Sequence, residues 1–431
     1  MLGRAPREPV TPLIQRKVVW AGTTLGSYEQ GADALEELAG IKLAPKQVQR
    51  ITSQAGADRV KERRQQVGAH HRLPLMTRVA APPGVTPPDL AVVMMDGGRY
   101  QRRDDFRERK AVVAGTPPAD AVPTQPSSQN RSCRKTHWHE DKLGLVLSMK
   151  SDVHEQDPCP EFPEWLASAP VIAELAKLAE RDENSADIAA ADPETSGAPS
   201  GSEPSADWPD LAPQLLAREV IASSEAAEAF GQQLEHKAWE TGAYGAARQA
   251  FVADGLAVNW TIHRKHFSQM TGILDLMHGL SYAWRAAGAL DDQNAYHRYA
   301  TWIWQGQVQR VIDELRQHQQ RIGPPDKAAG AATPCHRIHE SLTYYQNHQQ
   351  LMNYPAYRRD GLPLTSSHVE STMKQINTRV KGTEKFWCAD NSEAILQLRA
   401  DTLSDSKPLD AFWNRWQQRQ SGANRYRTLA T

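Results

Sequence analysis

The sequence predicts an α/β layer architecture. Three observations lead there. Compact apolar runs closed by turn residues recur near 90–96, 137–149 and 247–254, and each reads as a strand. Amphipathic runs of helical spacing lie before, between and after them, so strands alternate with helices. At 431 residues, 40% of them hydrophobic, the chain has material for two or three units and a sizeable core.

In chain order, residues 1–78 form an N-terminal helical region. "SYEQGADALEELAG" has helical spacing and ends on Gly40. "IKLAPKQVQRITSQAG" then offers Pro45 early in a second short helix, with Val48 and Ile51 on one face. Two short helices joined by such a turn suggest a helix-turn-helix that exposes Lys46, Gln47, Gln49 and Arg50; a generic helical pair fits the same pattern. "KERRQQVGAHHR" follows as a basic tail, and "VAAPPGVTPPDL" is a proline-rich boundary. "LAVVMMDGGRYQRR" is a buried strand and a turn at Asp96-Gly97-Gly98; "HWHEDKLGLVLSM" is a second strand, after a Pro- and Ser-rich loop at 113–132. "ARQAFVADGL" is a further strand closed by Asp254-Gly255, and "TGILDLMHGLSYAWRAAGAL" a short strand followed by a helix. These make a first core segment over 84–280. Helices dominate 281–355, with Tyr282/Trp284 and Trp302/Trp304 as core stripes. Residues 356–431 add a late helix opened by Glu370 and two amphipathic helices.

The net charge of −1 conceals an uneven distribution. Residues 178–211 hold nine acids and one base, a net of −8, which leaves about +7 on the rest of the chain. An acidic linker, centred on 184–210, therefore interrupts a basic body. No apolar run reaches the length that crosses a bilayer, and the N-terminus lacks a secretory apolar centre. Cys133, Cys159, Cys335 and Cys388 stand far apart with no CxxC pair, which fits a reducing cytoplasm and argues against a zinc ribbon. His336 and His339 beside Cys335 read as a solvated helix face.

Two apolar strands end in Asp-Gly, and strand ends carry carboxylates to the rim of a sheet where ligands collect. With Glu370 they make an Asp, Asp, Glu set of hard oxygens suited to Mg²⁺ or Mn²⁺. For Glu370 the alternative is a capping pattern, with Ser366 or Ser367 as N-cap and Lys374 paired one turn on. Asp275 and His278 are spaced D-x-x-H at a strand-to-helix junction, fitting either a structural hydrogen bond or a catalytic role.

Taken together, "VVMMDGGR", "VADGLAVNWTIHRKHFSQMTGILDLMHGLSYAW", "LMNYPAYRRDGLPLTSSHVESTMKQINTRVKGTEKFW" and, more loosely, "HWHEDKLGLVLSM" resemble the DDE transposases of bacterial insertion sequences, in the ISKra-type group related to Mutator-like elements. The early "LGSYEQGADALEELAGIKLAPKQVQRITSQAG" resembles that group's helix-turn-helix. The chain departs from the group in the long segment between its first two acids, in Thr365 and His368, and in "GTEKFW".

The resemblance implies an RNase H-like fold with a helical insertion before the glutamate helix. It implies Asp96, Asp254 and Glu370 as catalytic metal ligands, with Asp254 preferred to Asp275, and Asp275 and His278 as the family's C/D-x-x-H signature. Two Mg²⁺ or Mn²⁺ ions would serve strand cleavage and strand transfer at terminal inverted repeats and target DNA. Lys374, Arg379, Lys381 and Lys385 would contact phosphates, and residues 46–50 would read the repeats. Trp302 and Trp304 fit helical core better than stacking on a flipped base. Two element ends must be held together, so a homo-oligomer is expected, in the bacterial cytoplasm near the nucleoid and with no membrane partner. The rivals are an RNase H-type nuclease that cuts without joining and a domesticated DNA-binding relative.

Overall fold

The computed structural model describes residues 11–102, 138–185, 212–290, 292–325, 333–382 and 385–420. The apolar runs become strands β1 (Leu90–Arg102), β2 (Trp138–Lys150), β3 (Gln214–Ser223), β4 (Arg248–Ala253), β5 (Thr271–Leu274) and the short β6 (Phe386–Trp387). They form one mixed sheet in the order β3-β2-β1-β4-β5, with β6 beside the far end of β1. β1 is antiparallel to β2, and β2 to β3. On the other side, β4 is parallel to β1 and β5 parallel to β4. Leu90 to Met95 are no more than 1% exposed, as a central strand covered on both faces requires.

Helices precede, cover and follow this sheet. α1 (Pro12–Thr24), α2 (Tyr28–Ala39), α3 (Pro45–His71) and α4 (Leu75–Arg78) come before it. α5 (Ala169–Ser185), α6 (Ala227–Glu240) and α7 (Ala257–His266) alternate with its strands. α8 (Leu276–Ala287), α9 (Ala295–Trp304), α10 (Val308–Ile322), α11 (Pro334–His348) and α12 (Tyr354–Arg359) follow β5. α13 (Ser367–Val380), α14 (Ala389–Leu403) and α15 (Pro408–Gln420) end the chain. Among the described residues no helix is long and apolar enough to cross a membrane.

Register assigns the two faces. Met95 partners Gly144 and Asp96 partners Leu143, so these pairs point to opposite sides. Phe230 and Leu234 of α6 cover Gly144 on one side. Met373 of α13 lies against Gly98 on the other.

Three sequence expectations needed correction. β1 does not turn at Asp96-Gly97-Gly98. It runs on to Arg102 because β2 keeps pairing with it, Gly97 opposite Lys142 and Gly98 opposite Asp141. β3 was not anticipated, because its first half is only partly buried, the pattern of an edge strand, and the charges of Arg218 and Glu219 sit at its middle. The third concerns α3, which does not stop near Gly56. It runs for 27 residues and takes in most of the expected basic tail. Gly56 is a crossing point: a Cβ there would come within 2.7 Å of the Ala394 Cβ on α14. Arg59 and Arg63, one and two turns later, are buried rather than displayed. Arg59 Nε donates to Asp401 Oδ2 at 2.8 Å, and Arg63 donates to Glu393 Oε1 at 2.8 Å and to Gln397 Oε1 at 2.7 Å.

Val18, Ala21, Ala32, Leu35 and Val48 make a small apolar core shared by α1, α2 and the start of α3. Trp304 is 1% exposed and donates from Nε1 to the Cys159 carbonyl, so it is core. Trp302 is half-buried, with the Arg310 guanidinium 4.3 Å over its ring. The acidic segment begins inside α5; its remainder, 186–211, and the 113–132 loop lie outside the described residues.

The α3–α14 contact yields a stability prediction. Glu393 accepts hydrogen bonds from Arg63, from the Ser223 hydroxyl, and from the Ser224 amide and hydroxyl. Glu393→Ala takes the nearest carboxylate from a buried guanidinium, which keeps Gln397 and, at 3.3 Å, Glu225, and leaves the Ser223 and Ser224 donors unmet; it is expected to cost about 1–3 kcal/mol, read by urea unfolding. A loss below about 1 kcal/mol would show that water reaches Arg63.

Candidate functional site

Parallel pairing sets a row of acids across three strands. Met95 of β1 partners Ala253 of β4, and Ala253 partners Leu274 of β5. The next residue in each chain segment is an aspartate: Asp96, Asp254 and Asp275. Glu370 joins them from the first turn of α13, on the face that carries Asp96. His278 enters from the first turn of α8.

The fields of these groups overlap. Burial, then the Asp254 carboxylate and more weakly Glu370, push Asp96 up to about 7, against the opposing Gly97 amide and His278. Burial, with Asp275 adding to it, raises Asp254 above the usual carboxylate range. Burial and Asp275 also raise Glu370. Carboxyls held this close, with too little positive charge among them, invite a cation.

Asp275 differs from its neighbours. It is fully buried and both its oxygens are engaged. Oδ1 accepts from the His278 amide at 2.9 Å and lies 3.2 Å from His278 Nδ1. Oδ2 accepts from the Ser366 amide at 2.5 Å and the Ser366 hydroxyl at 2.7 Å. Burial opposes its charge, but the hydrogen bonds from His278 and Ser366 prevail and hold its carboxyl below the usual range. Asp275 thus caps α8 and ties it to the start of α13. Ser366, the residue before α13, uses its hydroxyl on this tie rather than on its own helix, and lies 3.5 Å from Glu370 Oε1.

Asp254 is held through one oxygen. Its Oδ1 accepts from the Leu256 amide at 2.9 Å and from Asn259 Nδ2 at 2.7 Å, while Trp260 Nε1 donates to its carbonyl at 2.8 Å. The described hydrogen bonds leave Oδ2 of Asp254 for a ligand. Gly255, beside it, approaches protein rather than substrate: a Cβ there would lie 2.4 Å from Tyr344 Cε2 of α11. The Tyr344 hydroxyl is buried without a hydrogen-bond partner, and the Asp254 charge acts on it.

The site fits divalent cations on its own chemistry. Potential ligand atoms of Asp275, His278 and Glu370 lie within 4.8 Å of one another. Asp96 and Asp254 border that trio without being part of it. Carboxylate oxygens such as those of Asp96, Asp254 and Glu370 are the hard donors that divalent cations of this class take.

The expected DNA-contacting residues divide. Lys374 and Arg50 are exposed. Lys46 is exposed and bonds Gln49 Oε1 at 2.9 Å. The Gln47 side chain accepts the Ala44 amide at 3.0 Å, closing the start of α3. Lys381 lies 5.7 Å over the Trp138 ring. Lys385 donates to the Thr378 carbonyl at 2.8 Å. Arg379 is a correction: it is 2% exposed, donates to the Gly22 carbonyl at 2.9 Å, and stacks 4.4 Å over Tyr28. It sits on the buried stripe of α13 with Val369, Thr372, Met373 and Ile376, three residues after Ile376. His336 pairs with Glu340 at 2.9 Å along its own helix.

Sequence reasoning missed Ser366 as a partner of Asp275, Asn259 as a holder of Asp254, and Tyr344. Only for Asn259 was there a local signal, a polar residue in the first turns of the helix that follows Asp254-Gly255.

No protein-family model matches the chain, and a comparison with curated proteins found no match.

The Asp96 shift predicts a pH dependence once divalent ions are chelated. The folded carboxyl keeps its proton up to about 7, while the reference value is 3.8. Folding therefore binds a proton across that interval, and stability falls as pH rises through it. Asp96→Asn is expected to melt above wild type at about pH 8 in chelator and to lose that advantage toward about pH 4. Identical pH profiles of the two melting temperatures would contradict the charge crowding.

Proposed function

We propose that this chain is a metal-dependent DNA strand-transfer enzyme of the DDE transposase kind, built on an RNase H-like core. One observation carries the reading: Asp254 and Asp275 follow the carboxyl ends of β4 and β5, Asp96 stands in register beside them at the point where β1 outruns its parallel partner, and α13 brings Glu370 to the same face. A sheet of order β3-β2-β1-β4-β5, antiparallel on one side of β1 and parallel on the other, is the arrangement an RNase H-like core calls for.

In this reading Asp96, Asp254 and Glu370 hold the cations. Bound there, two Mg²⁺ or Mn²⁺ ions would activate an attacking hydroxyl and stabilise the departing oxygen of an in-line phosphodiester displacement. Asp275, with both oxygens engaged by His278 and Ser366, positions Glu370 and His278 instead of moving a proton. Asn259 holds Asp254 through Oδ1 and leaves its second oxygen without a described hydrogen bond. Lys374 is the exposed cation one turn past Glu370, suited to a DNA phosphate. Lys46 and Arg50, exposed at the start of α3, are the cations by which the N-terminal helices would hold duplex DNA.

The test uses purified protein, Mg²⁺ or Mn²⁺, and duplexes carrying the DNA that flanks its coding sequence. Nicking followed by joining to a target duplex is expected. Cutting without joining would favour the RNase H-type nuclease, and binding without cutting a domesticated DNA-binding protein. Asp96→Asn, Asp254→Asn and Glu370→Gln should each lower cleavage by more than about 100-fold, because losing an outer partner alone costs about 10–100-fold. Ser366→Ala and Asn259→Ala should fall within that smaller range, with DNA binding intact. Full cleavage by any of the three acid variants would remove that residue from the ligand set.

A further inference from the structure

We propose that His70, His71 and Glu235 form a second cation site, for a zinc-class divalent ion, that fastens the end of α3 to α6. It shares no residue with the acid row.

Three independent features converge there. Potential ligand atoms of His70, His71 and Glu235 lie within 4.8 Å of one another. His70 is 2% exposed, yet neither of its ring nitrogens has a hydrogen-bond partner, and His71 Nε2 is likewise buried without a hydrogen bond, 3.8 Å from Glu235 Oε2. A buried imidazole with both nitrogens unmet pays a desolvation cost that a ligand bond would recover. The third feature is access. A cleft of about 630 Å³ between α3 and α6 is lined by Gly68, His71, Glu225 and Gln232, and the His71 side chain is 25% exposed. An ion can reach the buried histidine from that side.

The surrounding groups suit a neutral-imidazole site. Burial pushes His70 down to about 4 and also lowers His71 and His236, so the rings are uncharged near neutrality, the form that binds metal. The His236 ring lies 5.3 Å from that of His70, and His236 Nε2 is 3.7 Å from Glu240 Oε1. His266 Nδ1 lies 2.7 Å from Glu235 Oε2, and Lys237 pairs with Glu240 at 2.6 Å. Arg78 is the cation in direct contact with the cluster, 3.1 Å from His71 Nδ1 and 3.2 Å from Glu235 Oε1, while Lys237 pairs with Glu240 and the Arg63 and Arg64 that line the cleft pair with Glu225. An ion on His71 Nε2 places the ring proton on Nδ1, and Arg78 then keeps Glu235 alone. Two imidazoles and one carboxylate are a borderline donor set. It suits Zn²⁺, with a fourth position left open, and not the hard Mg²⁺ or Mn²⁺ of the acid row.

The experiment loads full-length protein, saturated with Mg²⁺, with Zn²⁺ or with Co²⁺ as a visible probe. Bound metal is counted by elemental analysis and by Co²⁺ absorption. One tightly held ion per chain is expected in wild type and in Asp96→Asn. His71→Ala and Glu235→Gln should weaken binding by more than about tenfold. Zinc should raise the melting temperature of wild type by roughly 3 °C or more, and not that of the variants. His71 is partly exposed and Glu235→Gln keeps its shape, so circular dichroism should find both variants folded. No ion retained by wild type, or equal retention by the two variants, would overturn the proposal. Loss in Asp96→Asn with retention in His71→Ala would also overturn it, because the ion would then belong to the acid row.

Discussion

Charge repulsion within a hydrogen-bonded register is the constraint on which this molecule is built. Three aspartates follow Met95, Ala253 and Leu274, and parallel pairing leaves their backbones no freedom to separate. The residues before them are among the most completely buried in the chain. The sheet can therefore absorb at its rim a repulsion that would distort a looser element. The raised proton affinity of Asp96 is the visible cost of that arrangement, and it lies where β1 outruns β4 and a cation could offset it.

The acids are also divided in role by their hydrogen bonds. Asp275 receives four polar contacts and stays charged, so its electrostatic work is finished inside the protein. Asp254 receives its side-chain contacts on one oxygen, and Asp96 has the Gly97 amide at 2.7 Å on Oδ1. Within the acid row, the carboxyls with an unused oxygen are the ones set apart from Asp275. The same logic explains the reach of α11, whose Tyr344 ring closes over Gly255 and whose His348 also lies near that backbone. The helical segment between β5 and α13 thereby forms one wall of the acid row as well as a core of its own.

How much of this was legible in the sequence depended on the range of the interaction. "VVMMDGG" and "FVADGL" were readable because burial on both faces leaves a continuous apolar run and the acid is its first interruption. Glu370 was readable from the helix pattern around it. The Ser366–Asp275 bond was not, since 91 residues separate its partners and a serine before a helix has an ordinary local explanation. β3 was hidden by Arg218 and Glu219, whose side chains meet Thr372 and Ser406, groups far along the chain, with Lys237 3.8 Å from the Glu219 carboxylate. Arg379 was misassigned although its signal was present, because its position on the apolar stripe of α13 outweighs its charge.

The length of α3 turns these separate features into one mechanical unit. At 1.5 Å per residue its 27 residues span about 40 Å. Lys46 and Arg50 are exposed at one end, and His70 and His71 abut α6 at the other. Between them Gly56, Arg59 and Arg63 seat the helix on α14, which packs in turn against β3. Buried ion pairs are a costly means of adding stability compared with apolar packing, but they tolerate little sliding. A helix pinned by Arg59–Asp401 and Arg63–Glu393 keeps one axial position, and whatever its first turn holds is carried at a fixed offset from the acid row. A flexible linker between the N-terminal helices and the sheet would lose that offset.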